Sequence, residues 1–429
     1  MGCVAWAVRR VYSVETALAG HGTEFAFIFS LAFLALVWQM LLCNLERPWK
    51  ATRSQKSELR ALRVIVHVPV YNEDSAYLHR CLRSILAQVQ LQDFIFISVT
   101  DDGSEVDYTV TRAAFEAEAA ALGIPVEWIR TVNQGKRHAQ GVAIRKHSEA
   151  DIFVTVDSDT ILDSCAIKEG LKPFADPRNF SVAGVILPYN SQKNLLTRII
   201  DMWWTPSQLI DRSSLSTMGA VLVNSGVLAF YRAELLRDNL DGYLNETFFG
   251  RPVEFSDDSI LTLYALQRGR AVQQPTAFAF TAMPENLSHH FRQYVRWMRG
   301  AMIRTGWRFK YLSPRRYAYW AHFVGWVQWL LATSLLWTLF IIRPVLTHNI
   351  PWTLYLIPIL IAYGQGLRYF AVRRSDQSRW SQLATYMLTP LTALWVYFVL
   401  RVIRWYGMVT CMKTGWGTRA QVEVSMEKP

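Results

Sequence analysis

Long apolar runs lie towards both ends of the 429-residue chain, whereas the middle alternates short apolar runs with amphipathic ones. The run at residues 25 to 43 has no charged side chain and is long enough to cross a bilayer. A second run covers residues 318 to 342, and a weaker third covers residues 351 to 370. This pattern predicts a membrane protein that crosses the bilayer more than once.

The basic residues around these runs predict their orientation. Lys and Arg are dense at residues 47 to 56, directly after the first run, and sparse before it, where Arg9 and Arg10 stand. The positive-inside rule therefore assigns the chain after the first run to the cytoplasm. The apolar stretch at residues 383 to 408 is interrupted by Pro390. A full span there would put the basic residues that follow it outside, so we expect a re-entrant or interfacial segment.

The middle of the chain has the pattern of a soluble α/β domain. Short apolar runs rich in β-branched and aromatic residues predict strands, and helix-like stretches such as residues 107 to 123 separate them. Alternating strands and helices indicate a mostly parallel sheet, which binds ligands at the carboxyl ends of its strands. The predicted strands are residues 64–70, 94–100, 126–130 and 152–156.

These patterns divide the chain into four predicted regions. Residues 1–60 carry the first span, residues 61–290 form the α/β domain, residues 291–317 form an interfacial helix region, and residues 318–429 form a C-terminal membrane region. The composition agrees, because 51% of the residues are hydrophobic and only 18% are charged. The net charge of +11 does not indicate nucleic-acid binding, since the basic residues accompany the apolar runs. The predicted partner is the lipid bilayer.

Polar and charged side chains follow all four predicted strands. Each group has an alternative explanation, since Asn, Asp and Gly end strands and cap helices for backbone reasons alone. Four consecutive strands that all end in such groups favour a binding site instead. The groups are Tyr71, Asn72 and Glu73; Asp101 and Asp102; Asn133, Gly135, Lys136, Arg137 and His138; and Asp157 and Asp159.

Two carboxylates, Asp157 and Asp159, end the fourth strand with one serine between them, and such a pair needs a counterion. No Lys or Arg is close to them in sequence, so a divalent cation is the predicted partner. Their hard oxygen ligands suit Mg²⁺ or Mn²⁺, and coordination positions remain for a diphosphate. Further groups suited to a nucleoside diphosphate are Tyr71, Asp102, Lys136 and Arg137.

Two later groups add candidate chemistry. Asp257 and Asp258 start a predicted helix; capping explains one such carboxylate, and the second indicates a general base. Gln293, Arg296 and Trp297 share one face of another predicted helix. That helix could instead lie on the membrane as a basic amphipathic helix. In the functional interpretation, Arg296 is a cation for the leaving diphosphate, and Trp297 is a surface on which an acceptor can stack.

The order and spacing of these motifs resemble those of processive family-two glycosyltransferases, and within them of the hyaluronan synthases and their chitin-synthase and NodC-like relatives. The resemblance covers roughly residues 60 to 420. Ser256 stands where the family's GDD motif has glycine, Ser259 where arginine follows that motif, and Val227 where the family has proline. The segments that carry the resemblance are VPVYNED, TDDGS, NQGKRHA, DSD, NSGVLAFYR, SDD, QYVRW and GWGTR.

The resemblance implies a GT-A fold on transmembrane and interfacial helices, with Mg²⁺ or Mn²⁺ as cofactor. It implies that Asp159 and Asp157 hold the metal, that Asp258, beside Asp257, is the catalytic base, and that Arg296 stabilises departing UDP. The nucleotide-sugar-binding residues would be Tyr71, Glu73, Asp102, Lys136, Asp157, Trp416, Thr418 and Arg419. The acceptor-binding residues would be Ser225, Gly226, Gln293 and Trp297.

The implied activity is that of a processive, inverting glycosyltransferase in the cell membrane, with a cytoplasmic catalytic domain, which polymerises and translocates a hyaluronan-like polysaccharide. Its partners would be the growing polysaccharide and UDP-sugar donors, namely UDP-GlcNAc and, for hyaluronan, UDP-GlcA. Three alternatives stay open. They are a chitin-type UDP-GlcNAc polymerase, a single-transfer enzyme with a lipid acceptor, and a nucleotide-binding membrane channel or scaffold without activity.

Overall fold

The computed structural model of the chain describes residues 23–88, 92–348 and 352–415. Ten strands lie within these ranges, and eight of them form one mixed sheet. The strands are β1 (Arg63–Val70), β2 (Phe94–Asp101), β3 (Val126–Arg130), β4 (Ile152–Val156), β5 (Ile161–Leu162), β6 (Asn179–Pro188), β7 (Leu228–Arg232), β8 (Thr247–Phe248), β9 (Arg251–Pro252) and β10 (Arg270–Thr281).

The large sheet has the strand order β3-β2-β1-β4-β7-β6-β10-β5. All four predicted strands are confirmed, and they lie side by side and parallel as β3, β2, β1 and β4. The sequence did not predict β7, which is antiparallel to both β4 and β6. The parallel sheet expected from the sequence is therefore one half of a mixed sheet that is parallel in four of its seven pairings within the described residues.

Helices flank this sheet and continue beyond it. The described α-helices are α1 (Thr23–Leu45), α2 (Arg53–Arg60), α3 (Ser75–Leu86), α4 (Thr109–Ala121), α5 (Lys136–Lys146), α6 (Ala166–Leu171), α7 (Leu195–Ser207), α8 (Ser213–Thr217), α9 (Ala233–Asp238), α10 (Leu240–Leu244), α11 (Asp257–Arg268), α12 (Leu287–Tyr311), α13 (Tyr317–Trp337), α14 (Arg343–Thr347), α15 (Trp352–Gly366), α16 (Arg379–Met387), α17 (Thr389–Leu394) and α18 (Arg401–Val409). A π-helical turn, Gln208–Arg212, joins α7 to α8.

The sheet is buried on both faces, which explains the nearly continuous apolar sequence of β1. Val64, Val66 and Val68 belong to a core cluster shared with α3, whereas Ile65 belongs to a second cluster shared with α5 and α11. Successive β1 side chains thus serve opposite layers, and each fully buried valine or isoleucine contributes roughly 1.5–3 kcal/mol. This two-sided packing fixes the strand ends from which the functional groups project.

The apolar helices test the predicted membrane spans by length and composition only. One continuous helix, Tyr317–Leu346, is long and apolar enough to cross a bilayer within the described residues. The segments Arg379–Met387 and Thr389–Val409 pass the same test only as a pair, and they are bent by 50° at their junction. That bend lies in the stretch for which the sequence predicts a re-entrant or interfacial segment, and it fits either such a segment or a broken span.

The segment between α15 and α16 docks on α7 through a fully buried ion pair. The Arg374 guanidinium donates to both Asp201 carboxylate oxygens, at 2.8 and 2.9 Å, and both side chains have no exposed surface. The Tyr369 hydroxyl donates to the same carboxylate at 2.6 Å. Arg374 also donates to the Pro188 carbonyl at the end of β6. The C-terminal helices are therefore tied directly to the sheet.

Candidate active site

A cleft of about 1800 Å³ opens at the carboxyl ends of the parallel strands. It is lined by twelve of the sixteen site residues that the resemblance implies, and they come from seven different parts of the chain. The twelve lining residues are Tyr71, Asp102, Lys136, Asp157, Asp159, Ser225, Gly226, Asp257, Asp258, Gln293, Arg296 and Trp297.

Lys136 is the charged group that joins the two halves of this cleft. Its Nζ lies 2.7 Å from Asp157 Oδ1 and 3.1 Å from Asp257 Oδ2. Gly226 lies directly beside this bridge, since a Cβ there would be 3.2 Å from the lysine Nζ. The sequence expectation that Asp157 lacks a protein counterion was wrong, because the parallel strands bring the start of α5, with Lys136, and the end of β4 to the same edge of the sheet.

The two carboxylates at the start of α11 have pKa values that move in opposite directions. Burial opposes ionisation of Asp257, but Lys136 and Arg137 hold the pKa of this carboxyl below its usual range. Burial, followed by the charge of Asp257, raises the pKa of Asp258 to about 6. Asp258 is thus a carboxylate that can accept a proton near neutral pH.

An unusual backbone turn presents this carboxylate pair. Ser256 precedes α11 as its N-cap with φ 63° and ψ 38°, a left-handed conformation that favours glycine. Its side chain caps no helix N–H, so Asp257 and Asp258 occupy the first turn of the helix rather than the capping position. Negative charge is favourable in that turn, which explains why the helix tolerates two carboxylates there but does not explain the raised pKa of Asp258.

At the ends of β2 and β3, Asp102 shapes the loop that leads to Lys136. Its carboxylate accepts hydrogen bonds from the backbone N–H groups of Gln134 at 3.0 Å and Gly135 at 2.7 Å. Gly135 has φ 93°, so the chain can turn there before α5 begins. Asp102 therefore fixes where α5 starts and so where its first residue lies.

Glu73 lies behind the cleft rather than on its lining. Its carboxylate accepts a 2.8 Å hydrogen bond from the Ser158 hydroxyl, between the two aspartates of the DSD motif. Its backbone N–H donates to the Tyr108 hydroxyl at 2.6 Å. The end of β1 and the end of β4 are thereby connected through a side chain that is 6% exposed.

The residues present fit a divalent cation that is shared with a substrate. Asp157 and Asp159 both line the cleft and offer carboxylate oxygens. No group of three or more His, Cys, Asp or Glu side chains with the arrangement of a metal site occurs among the described residues. Mg²⁺ commonly binds through one or two carboxylates and completes its coordination with substrate phosphates and water. The donor set therefore suits a metal that arrives with, or is completed by, a diphosphate.

One face of α12 forms a wall of the cleft. Gln293, Arg296 and Trp297 all line the cleft, as the helical spacing predicted. The Trp297 ring stacks on Trp204 of α7, with 5.1 Å between ring centroids and an interplanar angle of 29°. This tryptophan pair gives that end of the cleft an apolar, aromatic wall.

A buried ion-pair cluster beneath the Ser256 turn, which leads into Asp257 and Asp258, was not predicted from the sequence. Its centre is Glu246, which binds Arg137 at 2.8 Å, Arg304 at 2.6 Å and the Trp307 indole N–H at 2.8 Å. The Arg137 guanidinium also donates to the Phe255 carbonyl at 2.7 Å. Arg137 is thus engaged beneath the turn, whereas the sequence suggested a phosphate contact. Extending the Gln293–Trp297 face by two turns would have identified Arg304.

Trp416, Thr418 and Arg419 lie outside the described residues. The segment just before them contacts the edge of the cleft. The Glu254 backbone N–H donates to the Thr414 carbonyl at 3.1 Å, and Arg251 donates to the Met412 carbonyl at the same distance. The chain therefore reaches residue 415 next to the strand and turn that lead to Asp257.

The sequence of the chain is similar to those of known glycosyltransferases. The family model described as glycosyltransferase like family 2 matches residues 62–300. A hyaluronan synthase of Streptococcus pyogenes is 33% identical over 368 residues, which are 84% of each chain. An N-acetylglucosaminyltransferase of Azorhizobium caulinodans is 34% identical over 241 residues, which are 55% of this chain and 59% of that one.

A solved structure shares the fold. The mannosyltransferase PcManGT from Pyrobaculum calidifontis, in complex with GDP-Man and Mn²⁺, superposes with a TM-score of 0.55 over 86% of this chain and 96% of that one. The two sequences are 20% identical, so this likeness concerns the GT-A-like fold alone. With the matched family model and the long hyaluronan synthase alignment, the chain belongs to glycosyltransferase family 2 and is a hyaluronan synthase-like glycosyltransferase.

Proposed function

We propose that this glycosyltransferase is membrane-embedded, processive and inverting, and that it polymerises UDP-sugars into a β-linked, hyaluronan-like polysaccharide that it passes across the membrane. The observation that carries the proposal is that a carboxylate able to accept a proton, Asp258, and a cation, Lys136, line the same cleft. Asp258 has a pKa of about 6, and Lys136 bridges Asp157 and Asp257. A proton acceptor and a lysine that can meet a diphosphate, in one cleft, suit a sugar transfer.

The transfer is a single displacement. Asp258 accepts the proton of the acceptor hydroxyl while that oxygen forms a bond to the anomeric carbon of the donor sugar. The bond from that carbon to the UDP oxygen breaks at the same time, so UDP leaves with the electron pair. One displacement inverts the anomeric centre, and an α-linked donor gives a β-linked product.

On the nucleotide side, Lys136 would meet the diphosphate, and Asp102 and Tyr71 would bind the base and ribose portion. Asp159, with Asp157, would hold Mg²⁺ or Mn²⁺. The metal, when bound, supplies positive charge against the charge that develops on the leaving diphosphate. Glu73 would act indirectly, because its contact with Ser158 orients the DSD turn.

On the acceptor side, the stacked tryptophans and the glycine-containing segment support binding of a sugar chain. Trp297 offers its ring beside Trp204, and Gln293 offers a side-chain amide. Ser225 and Gly226 would line the acceptor hydroxyl's approach, where the absence of a side chain at Gly226 keeps Lys136 accessible. Arg296 would stabilise departing UDP.

The membrane arrangement is part of the proposal. We propose that residues 1–60 and 318–429 form the membrane regions, that residues 61–290 form the cytoplasmic catalytic domain, and that residues 291–317 lie at the interface. The buried Arg374–Asp201 pair supports a cytoplasmic position for the segment before α16, because it binds that segment to α7. The contacts of Met412 and Thr414 support a tail that brings Trp416, Thr418 and Arg419 over the nucleotide.

Two further cations in the cleft favour an acidic sugar polymer over chitin. Arg212 and Arg308 line the same cleft as Asp258. Burial lowers the pKa of Arg308 to about 9, and its Nε has no hydrogen-bond partner among the described residues. A uronic acid carboxylate would offer such cations a charged acceptor, whereas a chain of GlcNAc offers them only neutral acceptors.

The decisive experiment incubates membranes with UDP-GlcNAc, UDP-GlcA or both, in Mg²⁺ or Mn²⁺, and digests any polymer with hyaluronidase or chitinase. The proposal expects hyaluronidase-sensitive polymer only with both donors. Chitinase-sensitive polymer from UDP-GlcNAc alone would establish the chitin-type alternative. Addition of one sugar to lipid would establish single transfer. Absence of any UDP release would leave a binding protein without activity.

A further inference from the structure

The helix that carries the acceptor face also holds the turn that carries the base. Gly300 and Arg304 follow Arg296 on α12 by one and two turns, on the same face. A Cβ at Gly300 would lie 2.5 Å from Ser256 Oγ, so the helix backbone passes directly against the left-handed turn. The face of α12 that lines the cleft therefore continues along the turn that leads into Asp257 and Asp258.

Arg304 is the strongest of these contacts. It has no exposed surface, and its guanidinium binds Glu246 through two nitrogens at 2.6 and 3.2 Å. Its Nε donates to the Ser259 hydroxyl at 3.1 Å. The Ser259 hydroxyl in turn donates to the Ser256 carbonyl at 3.0 Å. A continuous chain of hydrogen bonds thus joins α12 to the residues on either side of the aspartate pair.

Ser259 is the position at which the resembling motif carries arginine. Here the serine is 4% exposed, and the space next to it is filled by the Arg304 guanidinium. The buried Glu246 carboxylate already forms salt bridges with two cations, Arg137 and Arg304. A third guanidinium beside them would add a buried charge next to a carboxylate that already binds two cations. An arginine at residue 259 and one at residue 304 are therefore alternatives for the same place.

We propose that Arg304 replaces the missing motif arginine and acts as the positioning residue for the base, so that the cation comes from α12 instead of from the first turn of α11. The role rests on the proposed assignment of Asp258 as base. It has a functional consequence, because the helix that contacts the acceptor through Trp297 also fixes the turn that deprotonates it. A shift of α12 along its axis would move both together.

The test is a four-member cycle of wild type, Arg304→Ser, Ser259→Arg and the double variant, measured for thermal stability, kcat, KM and the pH dependence of kcat. Arg304→Ser should lower kcat by about 10- to 100-fold with little change in UDP-sugar KM, because small displacements of a reacting group are costly. Ser259→Arg alone should be destabilised by a crowded buried charge. The double variant should regain most of both losses.

Arg299→Ser is the matched control, since that arginine lies on the same helix outside the cleft and donates to Thr410. It should leave kcat close to wild type. If Ser259→Arg does not fold, Arg304→Lys is the second variant, because it keeps the charge but cannot bond Glu246 and Ser259 at the same time. Arg304→Lys should fold, and it should shift the acid limb of the pH profile of kcat. A purely structural arginine would change the amount of folded enzyme without moving that limb.

The proposal is overturned if the double variant is no better than the worse single variant in stability and in kcat. The stability cycle does not depend on the catalytic assignment. If Asp258→Asn is as active as wild type while the stability cycle still shows rescue, the base assignment fails and the exchange of arginines survives.

Discussion

On one side of the cleft, Asp102, Lys136 and Asp157 follow strands of one parallel group of four in the sheet. On the other side, Asp258 follows a left-handed turn held by side chains from distant segments. The first group needs only the parallel pairing of β1, β2, β3 and β4 to be brought together. The second depends on Glu246, Arg304 and their partners, which are tens of residues apart in sequence. The nucleotide side is thus a property of the fold, and the base side is a property of buried ion pairs.

This difference has a chemical counterpart. In the proposed mechanism, the side with Lys136 and Asp157 binds a charged group that the substrate brings, and these two side chains are 19% and 29% exposed. The other side must hold the pKa of one carboxyl group, Asp258, near neutral pH, and that requires burial beside another carboxylate. Buried unpaired charge is costly, so the surrounding cations are a structural requirement of a poised base.

The largest expected effect is on the base itself. Asp258→Asn should lower kcat by about 10³-fold with little change in UDP-sugar KM, because the amide cannot accept the acceptor's proton. The measurement is UDP release at saturating donor. Asp241→Asn, at an exposed position of α10, is the control and should be unaffected. A normal kcat in Asp258→Asn would mean that Asp258 is not the catalytic base, and the two sides of the cleft would then not differ in the way described above.

The second effect concerns the fold that supports the acceptor end. Arg374→Gln should lower the free energy of unfolding by about 3–5 kcal/mol, because it leaves the buried Asp201 carboxylate without its cation. Arg373→Gln is a matched control, since the neighbouring arginine is exposed and should change stability by less than about 0.5 kcal/mol. Thermal unfolding in detergent compares the two. Equal losses would mean that the ion pair does not set stability.

The third effect separates the two sides by kinetics. Lys136→Met should lower kcat/KM by about 10²-fold and raise the UDP-sugar KM, because Asp157 and Asp257 lose their shared cation and the diphosphate loses a partner. Lys146→Met, at the other end of α5, should keep both parameters. An unchanged KM with a lower kcat would instead assign Lys136 to the base side.

The fourth effect follows from the raised pKa of Asp258. A carboxyl whose folded-state pKa is about 6, above its usual 3.8, contributes stability that is fully present below pH 4 and is lost as the pH rises through 6. Asp258→Asn should therefore raise the free energy of unfolding at pH 7 by about 1–3 kcal/mol. The gain should disappear below about pH 4 in pH-dependent melting curves. For the wild type, kcat should fall as the pH drops below about 6.

The sequence predicted one side of the cleft much better than the other. The strands before Asp102, Lys136 and Asp157 were recognisable because β-branched runs and turn residues are local signals. The residues that support Asp258 were not, since a buried salt bridge between Glu246 and Arg304 leaves no periodic pattern. β7 was missed for a related reason, because its antiparallel pairing depends on which strand edge is open after β4 has paired with β1.

The smallest expected effect tests how the base turn tolerates a serine at a position that favours glycine. Ser256→Gly should change the free energy of unfolding by no more than about 1 kcal/mol, because relief of the left-handed backbone offsets loss of the 2.8 Å contact between Ser256 Oγ and Ser259 Oγ. Gly300→Ala should destabilise the protein, since its Cβ would lie 2.5 Å from Ser256 Oγ and 2.8 Å from Ser256 Cβ.

Because glycine at residue 256 removes both of those atoms, Ser256→Gly should rescue Gly300→Ala in a double-mutant cycle measured by melting temperature and kcat. Rescue would mean that α12 holds the base turn through close backbone approach as well as through Arg304. Additive losses would mean that Gly300 is needed for another contact, such as that with Phe255, whose Cδ2 would lie 3.4 Å from the new Cβ. In that case the base side of the cleft would depend on its buried ion pairs alone.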